Sequence, residues 1–137
     1  MKAPLLDTHI WVWWVLGDAR LKPRDQKWLD GLSVDERPFV CAISLWEVAM
    51  LVNLGRLELD VSLEDWFRSA AHPRSVRIVP LTPDIACEVA QLPDSFHRDP
   101  ADRIIIASCR VLDLSLMSYD KRLRSSRLAA LVDSRTD

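Results

Sequence analysis

Glycine is scarce in this sequence, and its scarcity excludes two classes of nucleotide-binding protein. The 137 residues include three glycines, Gly17, Gly31 and Gly55. A P-loop and a dinucleotide-binding fingerprint both need several glycines within a few residues, so that backbone amides can approach a phosphate. No stretch of this chain has that spacing. A phosphate-cradling loop is therefore excluded.

Long apolar runs and metal-binding cysteine patterns are also missing. Cys41, Cys87 and Cys109 form no CxxC pair and no cysteine–histidine zinc spacing. Because they lie in apolar runs, we expect reduced thiols in the core of a cytoplasmic protein. The longest uncharged run near the N-terminus, residues 8–17, is too short to span a membrane and lacks the flanks of a signal peptide.

Charge is nearly balanced, and the chain is rich in apolar residues. The net charge is −2 and the pI about 5.9, so a general basic binder of nucleic acid is not expected, although a local basic patch is still compatible. Apolar residues make up 49% and charged residues 28%, which excludes a disordered chain. We expect one domain over residues 1–137.

Short apolar runs alternate with amphipathic segments along the chain, which predicts an α/β fold with a parallel sheet flanked by helices. Predicted strands cover residues 3–6, 38–42, 76–81 and 114–118, and predicted helices cover 8–16, 25–32, 44–54, 63–71, 83–92 and 100–112. Ser44 and Asp99 are the expected N-caps of two of these helices. The sequence does not decide the secondary structure of residues 121–131.

Four acidic residues lie where acids are unusual. Asp7 is the only acid in residues 3–17, and Glu47 is the only charged residue in 38–55. Asp102 falls in the first turn of an apolar helix, and Asp120 follows a strand as Asp7 does. Burying a carboxylate costs several kcal/mol, of order 20 in the idealised limit, unless it is paired or binds a metal.

Each acid taken alone has a structural explanation as a helix cap. Asp7 and Asp120 could be N-caps, and Glu47 and Asp102 could complete capping boxes with Ser44 and Asp99. Taken together, all four can converge on one edge of the sheet, because the carboxyl ends of parallel strands open into one crevice.

Four carboxylates at one edge repel each other and need a cation. A site with oxygen ligands and no histidine or cysteine favours Mg²⁺ or Mn²⁺. Such an ion can activate water and stabilise charge on a phosphoryl oxygen. The pattern therefore predicts metal-dependent hydrolysis of a phosphodiester, with water as the nucleophile.

Basic residues flank the predicted site and are candidates for holding a nucleic-acid backbone. For each of them singly, a solvated surface position is the preferred explanation. The candidates are Arg98, Arg103, Lys121, Arg122 and Arg124.

Four segments resemble the signature segments of the PIN domain, and more closely those of VapC-type toxins of bacterial toxin–antitoxin pairs. They read LLDTH at 5–9, SLWEVA at 44–49, DPADRIIIA at 99–107 and MSYD at 117–120. A further segment, LGRL at 54–57, adds to the likeness. The resemblance covers nearly the whole chain, in order and at similar spacing.

The resemblance implies a sheet of order 3-2-1-4-5 and a ribonuclease that uses Mg²⁺ or Mn²⁺. The family's catalytic and metal-binding acids fall on Asp7, Glu47, Asp102 and Asp120. Asp99 matches an extra acid of the family, although N-capping explains it as well. Products would carry a 5′-phosphate and a 3′-hydroxyl. Ser118 stands where many relatives have threonine near the fourth acid, and it is a candidate substrate contact.

The resemblance also implies partners. It predicts the toxin component of a type II toxin–antitoxin pair, bound by a cognate antitoxin near the acidic cleft, and a homodimer with no membrane association. The segment that contains Trp11, Trp13 and Trp14 is richer in aromatic residues than the family leads us to expect. For these tryptophans, contact within the core or across a dimer is favoured over stacking on bases. The alternative is that the chain is a catalytically inactive PIN fold that acts as a binding or scaffold protein. The presence of all four acids argues against this alternative.

Overall fold

Four short strands form one parallel sheet in the computed structural model of the chain, which describes residues 3–132. The strands are β1 (Pro4–Leu6), β2 (Phe39–Cys41), β3 (Arg77–Val79) and β4 (Ser115–Met117). Their order is β3-β2-β1-β4, and every neighbouring pair is parallel. The predicted α/β fold and the order 3-2-1-4 are confirmed.

The predicted fifth strand is reduced to one bridge in the part of the chain that the structure describes. Leu116 of β4 pairs in parallel with Leu131. The Leu116 amide donates to the Ala130 carbonyl at 2.7 Å, and the Val132 amide donates to the Leu116 carbonyl at 2.9 Å. This segment therefore occupies the position of a fifth strand, beyond β4, without the length of one.

Helices connect the strands and cover both faces of the sheet. They are α1 (Thr8–Leu16), α2 (Pro23–Asp30), α3 (Ala42–Asn53), α4 (Leu63–Ala70), α5 (Pro83–Gln91), α6 (Pro100–Leu112) and α7 (Lys121–Ser125), with a short 3-10 helix at Val34–Glu36. Gly17 ends α1 in the left-handed region at φ 65°, where a side chain would be strained. For residues 121–131 the sequence predicted no secondary structure, and in the structure this segment begins with α7.

Successive residues of each central strand pack in opposite layers of the core, because neighbouring side chains of a strand point to opposite faces of the sheet. Leu5 and Leu116, neighbours across β1 and β4, pack in the layer that contains Ile105 and Ile106 of α6. The adjacent residues of both strands pack in the other layer, beneath α1 and α3. Both faces are covered, which explains why these strands read as continuous apolar runs.

Two predicted core assignments have different outcomes. Trp11 is fully buried and donates from its indole nitrogen to the Ala70 carbonyl at 3.2 Å, as a core residue should. Cys41 and Cys109 are buried thiols, but Cys87 is exposed on α5, so its assignment to the core is wrong. Among the helices of residues 3–132, none has both the length and the apolar character needed to cross a membrane.

Candidate active site

Asp7 comes directly after β1, at the carboxyl end of the sheet. Its backbone amide donates to the Met117 carbonyl at 3.0 Å, so it extends the pairing of β1 with β4. Its side chain accepts a hydrogen bond from the Ser118 hydroxyl, with Oγ and Oδ2 2.6 Å apart, and the residue is 6% exposed. Asp7 occupies the N-cap position of α1 but makes no side-chain capping bond of normal geometry. Capping alone therefore does not explain this buried carboxylate.

Glu47 lies on the second turn of α3 and is tied to the start of α1. The Thr8 hydroxyl donates a short hydrogen bond to Glu47 Oε1. Thr8 Oγ1 and Ser44 Oγ are 2.7 Å apart, and because the single hydroxyl proton of Thr8 goes to Glu47, Ser44 is the donor between them. Both hydroxyl residues are buried. The two helices therefore hold the carboxylate in one orientation.

The predicted role of Ser44 as an N-cap is wrong. The helix begins at Ala42 with Cys41 as its N-cap, because β2 passes directly into α3. Ser44 is therefore the third residue of α3, and it cannot form a capping box with Glu47. The capping explanation of Glu47 fails for the same reason.

Asp99 and Asp102 share the start of α6. Asp99 is the N-cap, as predicted, and its Oδ1 accepts from the Asp102 amide at 3.1 Å. The Asp102 side chain is 13% exposed, and its Oδ2 lies 3.3 Å from His97 Nε2. That contact lacks the geometry of a hydrogen bond. One acid therefore caps the helix while the other faces the site.

Asp120 follows β4 and caps α7. One carboxylate oxygen accepts from the Arg122 amide at 2.8 Å, and the other lies 3.3 Å from the Arg122 guanidinium. The Asp120 amide donates to Ser118 Oγ at 3.0 Å. Ser118 therefore contacts both acids that follow strands, Asp7 through its proton and Asp120 through its oxygen.

The pKa values show that the acids influence one another. Burial raises the pKa of Asp102 to about 7, with the charges of Asp99, Asp7, Glu47 and Asp120 adding to the effect. Burial also raises the pKa of Glu47 and of Asp7, against the hydrogen bonds that Thr8 and Ser118 donate to them.

Asp120 differs from the other three acids. Burial alone would raise its pKa, but the hydrogen bonds and charge of Arg122 outweigh burial, and the pKa is lowered. The four acids therefore share one electrostatic neighbourhood. Among the described residues, Asp120 is paired with an arginine, and the other three acids have no arginine or lysine within ion-pair distance.

The donor set fits a hard divalent cation that keeps part of its water. Within residues 3–132, no three aspartate, glutamate, histidine or cysteine side chains lie close enough to enclose an ion by themselves. Mg²⁺ does not require such an enclosure, because it is usually held by one or two carboxylates and several waters. Burial raises the pKa values of Glu47 and Asp102, and the neighbouring carboxylates raise them further, as expected where acids lie side by side without a cation.

The predicted basic contacts divide into two groups. Arg98, Lys121 and Arg122 are exposed near the acids, and Arg124 is half-buried and donates from Nη1 to the Ser118 carbonyl at 3.0 Å. Arg103 is 8% exposed and points inward. It donates to the Pro93 carbonyl at 3.3 Å, and its guanidinium lies 5.6 Å from the centre of the Phe96 ring.

The placement of Arg103 corrects the prediction that it holds a nucleic-acid backbone. A signal was present in the sequence, because residues three and four positions after Arg103 are apolar and lie on the same helix face. Sequence reasoning also missed Thr8 and His97. Thr8 was detectable as a hydroxyl beside Asp7, whereas nothing in the loop around His97 marks it.

Comparisons with known proteins match the sequence and the fold of this chain. A family model described as the PIN domain matches residues 5–127. Ribonuclease VapC22 of Mycobacterium tuberculosis (strain ATCC 25618 / H37Rv) is 36% identical over 127 residues, which is 93% of this chain and 94% of that relative.

Two solved structures share the fold. One is VapBC2 from Rickettsia felis, bound to a DNA fragment from their promoter, with a TM-score of 0.68, 12% identity and coverage of 94% of this chain and 96% of that one. The other is a toxin–antitoxin complex from Klebsiella pneumoniae, with a TM-score of 0.61, 17% identity and coverage of 93% and 95%. The family-model match and the 36% identity show that this chain belongs to the PIN-domain family, as a member of its VapC type.

Proposed function

We propose that this protein is a metal-dependent endoribonuclease and the toxin component of a type II toxin–antitoxin pair. The observation that carries the proposal is the group of acids at the carboxyl end of the sheet, three of which have raised pKa values. A relative that covers almost the whole chain is named a ribonuclease, and a solved structure of the same fold is a toxin–antitoxin complex. These names support an RNA substrate and an antitoxin partner for this chain.

Asp7, Glu47, Asp102 and Asp120 are the residues that we propose hold Mg²⁺ or Mn²⁺, with Asp99 as a further candidate. When bound, the ion lowers the pKa of water and stabilises negative charge on a phosphoryl oxygen. The acids supply oxygen ligands only, which suits these ions better than softer metals.

The chain's own hydroxyl groups orient the carboxylates. Ser118 donates to Asp7, and Thr8 donates to Glu47, so each acid keeps one fixed oxygen. Partners of this kind typically change metal affinity or activity by about 10–100-fold when they are removed. Asp102 must lose its proton to bind a cation, and since burial and neighbouring acids raise its pKa to about 7, metal affinity rises with pH through neutrality.

We propose that the exposed cations next to the acids hold the RNA backbone. Arg122 pairs with Asp120, and Lys121 and Arg98 lie exposed close by in the sequence. With a net charge of −2, affinity for RNA depends on such local contacts, so binding should weaken with salt along a shallow slope. In-line attack by water expels the 3′ oxygen and leaves a 5′-phosphate and a 3′-hydroxyl.

The function is tested by cleavage of structured RNA with Mg²⁺ or Mn²⁺, with EDTA, and with the Asp7→Asn variant. We expect cleavage only with a divalent ion and none with Asp7→Asn, whose fold should be intact or slightly more stable because repulsion is relieved. Asp84→Asn is the matched control, since Asp84 is an exposed acid in the first turn of α5, remote from the acids in sequence.

Two results would overturn the proposal. Products with a 2′,3′-cyclic phosphate, or cleavage that continues unchanged in EDTA, would exclude hydrolysis by metal-activated water. Binding of RNA without any cleavage would favour the alternative, an inactive PIN fold that acts as a binding or scaffold protein. Co-expression with the neighbouring reading frame tests the antitoxin, which should co-purify with a homodimer of this chain in the cytoplasmic fraction.

A further inference from the structure

A cleft of about 340 Å³ opens beside the acids, and the proposed mechanism does not use it. Asp7 and Asp120 line the cleft, and His9, Trp13 and Tyr119 contribute aromatic rings to the lining. We refer to it as the aromatic cleft. Small-molecule sites start at about 300 Å³, so its size suits a nucleoside rather than a long peptide.

The rings of the aromatic cleft come from two elements that meet at the end of the sheet. Trp13 of α1 and Tyr119, which follows β4, have ring centres 6.0 Å apart and planes inclined by 42°. His9 lies one turn before Trp13, with ring centres 5.7 Å apart and an inclination of 48°. The rings are tilted against one another and are not stacked flat, so they do not cover each other's faces.

Tyr119 is held in place by hydrogen bonds to its hydroxyl group. Its hydroxyl donates a short hydrogen bond to Asp25, which is fully buried, and accepts from the Lys22 backbone amide at 3.1 Å. A ring that is fixed before binding loses little conformational entropy when a ligand stacks on it. The buried Asp25 thus fixes the Tyr119 ring as well as lying in the first turn of α2.

Two cations lie over the same rings. The Arg20 guanidinium is 5.2 Å from the centre of the Trp13 ring, and the Lys22 ammonium is 5.2 Å from the centre of the Tyr119 ring. Arg20 is held there by Asp18, which accepts from its Nη2 at 2.8 Å and from its Nε at 3.1 Å. Aromatic faces with adjacent cations are the combination that single-stranded nucleic acid requires, because bases stack and phosphates pair with the charges.

We propose that the aromatic cleft holds a nucleobase of the RNA strand, stacked on Trp13 and Tyr119, next to the phosphate at the acids. This inference rests on the proposed function, because it assigns the cleft to the same RNA. It differs from the expectation that Trp13 serves only core or dimer contact. Because every base has an aromatic face, the cleft selects unpaired nucleotides and not one particular base.

The first test compares substitutions of two tryptophans on α1. Trp13→Leu removes the aromatic face but keeps apolar volume, Trp13→Phe restores a ring, and Trp14→Leu is the matched control. Trp14 is equally half-buried but bonds Asp30 at 2.9 Å, away from the cleft. Binding of short fluorescein-labelled oligoadenylate and oligouridylate is measured by anisotropy in EDTA, after thermal unfolding has verified that each variant is folded.

We expect Trp13→Leu to raise the Kd for both oligonucleotides about tenfold, as loss of one stacked base does. Trp13→Phe should recover most of the affinity, and Trp14→Leu should stay within about twofold of the parent, since loss of a contact away from the RNA changes no stacking. An unchanged Kd for folded Trp13→Leu overturns the inference.

A second test separates base stacking from general damage to the site. A base-free oligonucleotide of ribose and phosphate, equal in length to the oligoadenylate, should bind the parent protein more weakly, and Trp13→Leu should not weaken it further. If Trp13→Leu weakens binding of the base-free oligonucleotide and of the oligoadenylate by the same factor, no base stacks on Trp13 and the inference is wrong. If Trp13→Leu binds the oligoadenylate and the oligouridylate as the parent does but no longer retains the co-expressed antitoxin, the cleft serves a protein partner and the inference is wrong.

Failure of this inference is distinguishable from failure of the proposed function. Metal-dependent cleavage that is equal in parent and Trp13→Leu, together with equal Kd values, overturns the aromatic cleft alone. Absence of cleavage with any ion overturns the proposed nuclease. The Kd comparison in EDTA still tests the cleft in that case, because it requires no cleavage.

Discussion

Ser118 holds two of the four acids with one hydroxyl group. It donates to Asp7 Oδ2 at 2.6 Å and accepts from the Asp120 amide at 3.0 Å. A buried carboxylate that loses its donor becomes harder to ionise, since hydrogen bonding to the charged form is what offsets burial. Its hydrogen bonds therefore give Ser118 a positioning role for these acids, which is separate from the substrate contact that the resemblance suggests.

Ser118→Ala should lower cleavage about tenfold and raise the Mg²⁺ concentration needed for half-maximal activity, as loss of a partner of a metal ligand does. Ser118→Thr keeps the hydroxyl and should restore activity. Ser108→Ala is the matched control, because Ser108 is equally buried but donates to the Ile104 carbonyl within α6, at 2.8 Å. A Mg²⁺ titration that is identical for Ser118→Ala and the parent would show that the hydroxyl does not position Asp7.

At the scale of the element, Asp99 at the start of α6 could be present as a helix cap or for its negative charge, and substitutions can separate these two roles. Asp99 caps the helix through the Asp102 amide, and its charge also raises the pKa of Asp102 and of Glu47. Asp99→Ser keeps a capping oxygen but removes the charge, whereas Asp99→Ala removes both.

We expect Asp99→Ala to lose about 1 kcal/mol of unfolding free energy, and Asp99→Ser to lose only a few tenths or to gain stability, because serine caps helices well. Denaturant unfolding in EDTA measures both variants. If Asp99→Ser loses as much stability as Asp99→Ala, the carboxylate does more than cap. If Asp99→Ser is stable but no longer responds to Mg²⁺, Asp99 is a metal ligand as well as a cap.

The sequence predicts the elements better than it predicts their junctions. Asp99 followed by proline marks the start of α6, and Gly17 marks the end of α1, because both positions need residues with particular backbone or side-chain properties. The start of α3 was missed because β2 passes into it without a turn, so no turn residue separates strand from helix. Ser44 then looked like a cap when it lies inside the helix.

In the candidate site, features that depend on nearby residues were predictable from the sequence, and features that depend on tertiary contacts were not. Asp7 and Asp120 were predictable as strand-end acids, since their place depends on their own strands. The hydrogen bond from Thr8 to Glu47 joins residues 39 positions apart, and the inward position of Arg103 depends on Phe96 of a preceding loop. The apolar residues that follow Arg103 on its helix face indicate that it points inward, and Thr8 stands beside Asp7, but no local pattern specifies the distant partners that these residues contact when the helices pack.

At the scale of the whole molecule, the acids make the metal-free protein sensitive to pH. In the unfolded chain, aspartate and glutamate titrate near about 3.9 and 4.3. In the folded protein, burial raises the pKa of Asp7, Glu47 and Asp102, the last to about 7. Between these limits the folded state binds more protons than the unfolded state, so the free energy of unfolding falls as pH rises. Asp120, whose pKa is lowered, acts in the opposite direction and only below about pH 4.

Urea unfolding in EDTA should therefore give a lower free energy of unfolding at about pH 8 than at about pH 5. Mg²⁺ should reverse the order, because it binds the folded state alone and binds it better once the carboxylates are ionised. Asp102→Asn should flatten the pH dependence in EDTA and reduce the gain from Mg²⁺, while the exposed Asp84→Asn should change neither. A metal-free protein that is more stable at the higher pH, or an Asp102→Asn variant with the parent's pH dependence, would mean that burial and mutual repulsion do not raise the pKa values of these carboxylates. The acids would then be ordinary surface charges, and the reason for expecting a cation among them would be lost.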